Sequence, residues 1–273
     1  MFDVKMRLIS MLGLLAAVVI VTLVLDYLHI LRRPVRLSLG IAILCIVVGF
    51  FLTLSAVLPN SHVFGPVITE GKTDHKIVAL TFDDGPYPPY TGQLLDILKE
   101  YQVPATFFLI GKNAEKHPEM VRRILAEGHQ IGNHTYSHVD LLKAERPEII
   151  REIERAGQAV AAITGQTPQV VRPPHGFRDP VVLEVMNERK LKVVEWSVMS
   201  RDWTNPGVDV IVERTVSKVK NGSVILLHDG DGVAATASRA QTVEAVRHII
   251  RQLSEQEFTF VTVNEILAKQ EEK

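Results

Sequence analysis

Two adjacent carboxylates, Asp83 and Asp84, close the apolar run "KIVALTF" (76–82), and Gly85 and Pro86 follow at once. Two histidines, His134 and His138, stand four residues apart in "HTYSH", just after another strand-like run. On a helical turn that spacing sends both imidazoles from one face, a two-point clamp for a borderline divalent metal such as zinc. A catalytic metal site commonly takes three protein ligands and keeps a position for water, and two histidines with one aspartate complete such a set. The second aspartate is then free to take a proton from that water. Alone, "DDGP" reads as a solvated turn, because Asp, Gly and Pro are all turn formers. Alone, HxxxH is common on solvated helices. Each placed after a strand, the two read together as half of a hydrolytic site.

For these residues to meet, the elements that carry them must converge. Strand-like runs occur at 76–82, 105–110, 129–132, 169–172, 192–198, 223–228 and 258–263. Between them lie stretches with helical spacing of apolar residues: Leu94, Leu95 and Leu98; Val121, Ile124 and Leu125; Ile149, Ile150 and Ile153; Val243, Val246 and Ile250. Gly128 closes one predicted helix, and Pro118 and Pro147 stand near the first turns of two others. Alternation of this kind predicts a parallel sheet, either open and doubly wound or closed into a barrel. No GxGxxG follows the first strand and no phosphate-cradling lysine loop is present, which counts against nucleotide folds. Polar motifs follow strands one, three, four, five and six. In a barrel those strand ends share one mouth, so a barrel is favoured.

The first 58 residues are of another kind. Residues 8–25 carry no charge, the apolar character resumes after Asp26, and residues 37–58 are again uncharged. Both stretches, about 8–31 and 37–58, reach the roughly 20 apolar residues that a spanning helix needs. Lys5 and Arg7 resemble the basic start of a signal peptide, but "DYLHILRRP" offers no small-residue cleavage site, so a retained transmembrane hairpin is expected. Arg32, Arg33 and Arg36 in the short connection put that loop on the cytoplasmic side and the bulk of the chain outside, with Lys5 and Arg7 pulling the other way. Residues 59–75, with two prolines and two glycines, read as a linker able to reach ~50 Å if extended. Residues 76–273 form the remaining domain. A net charge of −1 gives no basic excess for nucleic acid, and no protein partner is implied. The only cysteine, Cys45, lies in the second span, so no intramolecular disulfide is possible.

"TFDDGP" (81–86), "HTYSH" (134–138), "RPPHG" (172–176), "RDW" (201–203) and "LLHD" (226–229) occur in the order, and at roughly the spacing, of the polysaccharide deacetylase family, also called carbohydrate esterase family 4. The resemblance covers about residues 76–263. It implies a distorted (β/α) barrel of about seven strands, a divalent metal (zinc foremost) and hydrolysis of acetyl groups on sugar polymers. Carried over residue by residue, it implies Asp84, His134 and His138 as metal ligands, Asp83 as general base and His228 as general acid. It further implies that Arg172 pairs with the base and that Asp202 orients and tunes the acid. Trp203 and Leu226 would wall the acetyl methyl group, and the backbone N–H of His175 would face the oxyanion. Physical chemistry agrees: a base beside a dication and a guanidinium stays ionised, and a histidine beside a carboxylate keeps its proton to higher pH.

Two positions depart from the family pattern. His175 stands where tyrosine is frequent, which is harmless if only its backbone acts. Met199 replaces a frequent aspartate, which bears on the rigidity of that loop. Elsewhere, His117, His129 and His248 read as solvated or core-satisfied, Trp196 as core, and Glu152 and Glu154 as a solvated helix face with Arg151 and Arg155. Asp229 and Asp231 read as shaping the turn after the sixth strand, with Asp229 in reach of the site. The expectation is a membrane-anchored, metal-dependent deacetylase on the outer face of the cytoplasmic membrane, acting on N-acetyl sugars of peptidoglycan. Lipid-linked, exopolysaccharide or chitooligosaccharide glycans are the alternative within the enzyme class. An inactive, glycan-binding barrel is the alternative outside it, and retention of Asp83, Asp84, His134, His138 and His228 argues against that.

Overall fold

The computed structural model describes residues 6–28, 35–234 and 236–271. Two helices open the chain, α1 (Leu8–Tyr27) and α2 (Val35–Val57), and pack as an antiparallel pair. Both are long and apolar enough to cross a membrane, and most of their large apolar side chains are exposed. The first stops at Tyr27, short of the expected Leu31. Lys5, Arg32 and Arg33, on which the expected orientation rests, lie outside the described residues, and Arg36 is described only as helical backbone.

Beyond them the elements run β1 (Ile77–Asp83), α3 (Tyr90–Tyr101), β2 (Thr106–Leu109), α4 (Gly111–Lys116), α5 (Pro118–Ala126), β3 (Gln130–Asn133) and α6 (Arg146–Thr164). Then come β4 (Val170–Val171), α7 (Pro180–Glu188), β5 (Lys192–Val193), β6 (Val198–Met199), α8 (Val208–Val216), β7 (Ser223–His228), α9 (Ala240–Glu255), β8 (Thr259–Phe260) and α10 (Val263–Glu271). Every strand pairing is parallel, in the order β5-β4-β3-β2-β1-β7-β6, with β8 also on β1. This curled parallel sheet, wrapped by helices, is the expected distorted barrel.

β1 is its central strand and is buried along its whole length, which suits a run of Ile, Val, Ala, Leu and Phe covered on both faces. The helices bury the predicted stripes: Leu94, Leu95 and Leu98 of α3, Val121 and Ile124 of α5, Ile149 and Ile153 of α6, Val246 and Ile250 of α9.

One predicted strand is two. The run 192–198 leaves β4 after Val193 and rejoins the sheet at β6 on β7, so β5 and β6 end opposite edges and their connection closes the barrel. The break has a cause: the carbonyls of Val194 and Glu195 are turned to the Arg172 guanidinium, at 3.1 and 2.9 Å, instead of continuing a ladder.

Residues 59–75 are not a free tether. Ile68 bridges Val194, Val67 is buried, Glu70 bridges Ser223, and the Gly71 N–H donates to the Gly222 carbonyl at 2.8 Å. At the other end the carbonyls of Leu58, Pro59 and Ser61 converge on the Arg178 guanidinium at 2.7, 2.9 and 2.9 Å. Backbone groups that would be solvated in an extended linker are satisfied on the barrel wall.

Candidate active site

Asp83 is the last residue of β1, in register with Phe108 on one neighbour and His228 on the other. Asp84 takes a left-handed backbone conformation (φ 78°), which aspartate tolerates better than most residues. That reversal sends two adjacent carboxylates to different partners. The turn is held by the Asn113 side-chain amide donating to the Asp84 carbonyl (2.9 Å) and by the Asp229 N–H donating to the Asp83 carbonyl (3.1 Å). Gly85 is required here, because a Cβ would collide with the Asp229 carboxylate.

Asp83 Oδ1 accepts from Arg172 Nη1 at 2.7 Å. Arg172 is wholly buried, and its other donors reach Thr81 Oγ1 (2.8 Å) and the Val194 and Glu195 carbonyls. The guanidinium also stacks over Phe108, 4.1 Å from the ring centroid. A buried cation needs this many partners, and here they also fix where Asp83 points.

His134 and His138 do not lie on a helical turn. They sit in the loop that follows β3, with positive φ at Thr135 (64°) and His138 (59°). Local polar groups win over helix formation: Asn133 Oδ1 takes the Thr135 N–H (2.8 Å) and Thr135 Oγ1 takes the His138 N–H (3.1 Å). Glu152 of α6 completes the loop by accepting from the Tyr136 and Ser137 N–H groups (3.0 and 2.8 Å) and the Ser137 hydroxyl (2.8 Å). Glu152, read from sequence as a solvated face, is thus the loop's main anchor. The imidazoles converge nonetheless: Asp84 Oδ1 is 3.4 Å from His134 Nε2 and 3.2 Å from His138 Nε2.

Asp84, His134 and His138 offer three ligand atoms within 4.8 Å of one another. Asp84 Oδ1 is buried and has no hydrogen-bond partner among the described residues. The Arg172 carbonyl lies 2.7 Å from His134 Nδ1 and can only accept, so that nitrogen carries the proton and Nε2 presents its lone pair. An orphaned carboxylate oxygen facing two imidazole nitrogens fits a divalent cation. Burial would raise the Asp84 carboxyl, but the two imidazoles outweigh it and hold it well below the usual range.

The second half of the site is built on β6 and β7. Asp202, fully buried, accepts from His228 twice: Nδ1 to Oδ1 at 2.9 Å and backbone N–H to Oδ2 at 2.8 Å. Thr242 (2.9 Å to Oδ2) and Ser200 (3.1 Å to Oδ1) donate to it as well. Burial alone would depress His228, yet Asp202, with smaller help from Asp84 and Asp83, pushes it up to about 9. Trp203 is 39% exposed and stands edge-on to the His228 ring, centroids 5.2 Å apart. Leu226 is buried two residues before His228, on the same side of β7. The exposed His175 adopts φ 61° in the turn Pro174–Gly176, its ring centroid 5.0 Å from that of His138. Met199 pairs with Leu226 in the sheet.

Two buried acids flank the cluster. Asp229 has Oδ2 on the Thr91 hydroxyl (2.6 Å) and Oδ1 without a partner among the described residues, and burial pushes it up to about 7. Glu195, 3.5 Å from Arg178, is also pushed up to about 7, chiefly by burial. "HDGDG" signalled the first, and the alternating run 192–198 concealed the second. His129 is a core residue, its Nδ1 accepting the Ala105 N–H, and burial lowers it to about 4.

The family model described as polysaccharide deacetylase matches residues 70–194. The chain is 40% identical over 205 residues to a peptidoglycan-N-acetylglucosamine deacetylase of Bacillus cereus, covering 74% of this chain and 93% of that one. It is 42% identical over 187 residues to a chitooligosaccharide deacetylase of Sinorhizobium fredii, covering 66% and 87%. A crystal structure of a peptidoglycan N-acetylglucosamine deacetylase superposes with a TM-score of 0.68 at 37% identity, covering 73% of this chain and 92% of that one.

Proposed function

Because the chain belongs to the polysaccharide deacetylase family, we propose that it is a membrane-anchored, metal-dependent hydrolase that removes acetyl groups from N-acetylated sugars of a cell-envelope glycan, peptidoglycan foremost. The observation that carries this reading is the division of labour between neighbours: Asp84 turns an unpartnered oxygen to His134 and His138, while Arg172 holds Asp83 apart.

In this reading Asp84, His134 and His138 hold a divalent cation, with zinc favoured by the nitrogen-rich donor set. Such a cation supplies Lewis acidity to the acyl carbonyl and to the attacking water. Asp83, fixed by Arg172, takes the proton from that water through its free oxygen. His228, kept protonated by Asp202, gives its proton to the departing amine, without which the amide nitrogen is a poor leaving group. Trp203 and Leu226 confine the acetyl methyl group, and the His175 backbone N–H stands by for the oxyanion.

The two hydrophobic helices support anchoring, and the arginines of their connection favour a catalytic domain on the outer face. The substrate assignment follows the relatives, whose names include both peptidoglycan and chitooligosaccharide deacetylases. Acetate release from peptidoglycan, N-acetylated chitooligosaccharide and acetylated xylan tests it. Release from the first or second with the chelated enzyme inactive is expected, and activity on xylan alone would overturn it. A reporter fused after Lys273 is expected to read as exported.

A further inference from the structure

Arg178 and Asp179 follow the His175 turn directly, and they grip the domain-proximal ends of both hydrophobic helices. Asp179 accepts the N–H of Leu8, the first residue of α1, at 3.0 Å, and pairs with the Arg7 guanidinium at 3.1 Å. Arg7 also donates to the Leu141 carbonyl at 2.6 Å. The backbone N–H of Arg178 donates to the Ala56 carbonyl at 3.0 Å, and its side chain takes the three carbonyls beyond α2. Arg178 and Asp179 are buried, at 1% and 0% exposure, and Arg178 also donates to the Gly176 carbonyl at 2.8 Å.

The residues doing the gripping belong to loops at the C-terminal strand ends. Leu141 is three residues beyond His138, a chain distance of at most about 11 Å, and Asp179 is four beyond His175, at most about 14 Å. The hairpin is therefore mounted on the mouth of the barrel. The course of residues 59–71 agrees, because they run from the Arg178 clamp to Gly222 and Ser223 at the start of β7, the barrel's base. A helix the length of α1 spans roughly 30 Å, the thickness of the hydrocarbon core. No spare turn separates the bilayer from Asp179.

A second observation points the same way. Among the described residues, the exposed large hydrophobics outside the two helices and their immediate ends are Val63, Trp203 and Val233. Val63 lies beside the clamp, two residues beyond Ser61. Trp203 and Val233 follow β6 and β7, across the mouth from it. Apolar side chains on both sides of one rim, with a membrane hairpin fixed to that rim, form a surface suited to lipid headgroups and the upper acyl chains.

We propose that the barrel sits mouth-down on the bilayer, so that the site takes acylated sugars of saccharides still carried on the membrane by a lipid. The inference rests on the deacylase reading above and narrows its substrate. It places the reaction after a step that builds the sugar on a lipid carrier and before one that transfers the glycan away from the membrane.

The test uses the full chain in vesicles, in a Cys45→Ala background. A fluorophore attached through Val233→Cys is expected to be quenched by brominated lipids severalfold more than one attached through Lys218→Cys at the base. Equal or reversed quenching overturns the orientation. The same vesicles are given an N-acetylated chitooligosaccharide joined to an alkyl lipid either directly through a phosphodiester or through a long flexible spacer. About tenfold faster acetate release from the direct link is expected, as geometry rather than local concentration then decides. Preference for the spaced or free sugar overturns the substrate assignment. Acetate from neither, with quenching still confined to position 233, defeats the deacylase reading instead of the orientation.

Discussion

Asp202 holds His228 by both its ring and its backbone, with Nδ1 2.9 Å from Oδ1 and the main-chain N–H 2.8 Å from Oδ2. The double attachment fixes the imidazole and raises it from 6.5 to about 9. A general acid must be protonated to act, so kcat/KM should hold through neutral pH and fall as pH rises through about 9. In Asp202→Asn the basic limb should move down toward 6.5, since burial is then opposed only by the weaker pull of Asp84 and Asp83. A limb that stays at about 9 would dissociate His228 from the acid role. The linkage to stability has the same sign: the contribution of His228 is complete below 6.5, until Asp202 takes up its own proton in the acid range, and is lost as pH rises through about 9, which thermal unfolding at several pH values would read.

The adjacent aspartates should fail differently. Asp83→Asn is expected to lower turnover by about 10²–10⁴-fold while retaining bound metal, because its partner is Arg172. Asp84→Asn should lose the metal itself. Elemental analysis beside single-turnover kinetics separates the two, and equal metal loss in both would contradict the assignment.

Glu152 offers a test away from the reacting atoms. Glu152→Ala removes the acceptor of the Tyr136 and Ser137 N–H groups, which set the loop bearing His138. A 10–100-fold loss of metal affinity is expected, as for other groups that orient ligands, and chelator competition would measure it. Unchanged affinity would return Glu152 to the surface role its sequence context suggested.

Gly85→Ala should cost about 1–3 kcal/mol of stability, because its Cβ would meet the Asp229 carboxylate. Chemical denaturation measures this. Gly85→Ala combined with Asp229→Ala should recover part of the loss, since the collision is removed.

The chemistry was more legible in the sequence than the geometry that delivers it. The motif residues Asp83, Asp84, His134, His138, Arg172, Asp202 and His228 do assemble at the strand ends, as their positions after strand-like runs implied. The helical turn that the i, i+4 spacing suggests at 134–138 does not form, because spacing says nothing of Asn133, Thr135 and Glu152 competing for its N–H groups. The run 192–198 looked like one strand because alternation carries no sign that Val194 and Glu195 give their carbonyls to an arginine. Glu152 and Arg178 were invisible for a related reason: each acts on backbone groups distant in sequence, which leave no residue-type signature.

The central place of β1 has a consequence in time. Its neighbours come from the middle of the chain, β2, and from near its end, β7 and β8. By the time residue 138 has been synthesised, Asp84, His134 and His138 are all present, and β1, β2 and β3 can pair. Arg172, which secures Asp83, arrives later, Asp202 later still after β6, and His228 last, on the strand that covers the exposed flank of β1. A chain emerging N-terminus first can therefore bring together the three residues proposed to hold a metal before it has the histidine proposed as the acid.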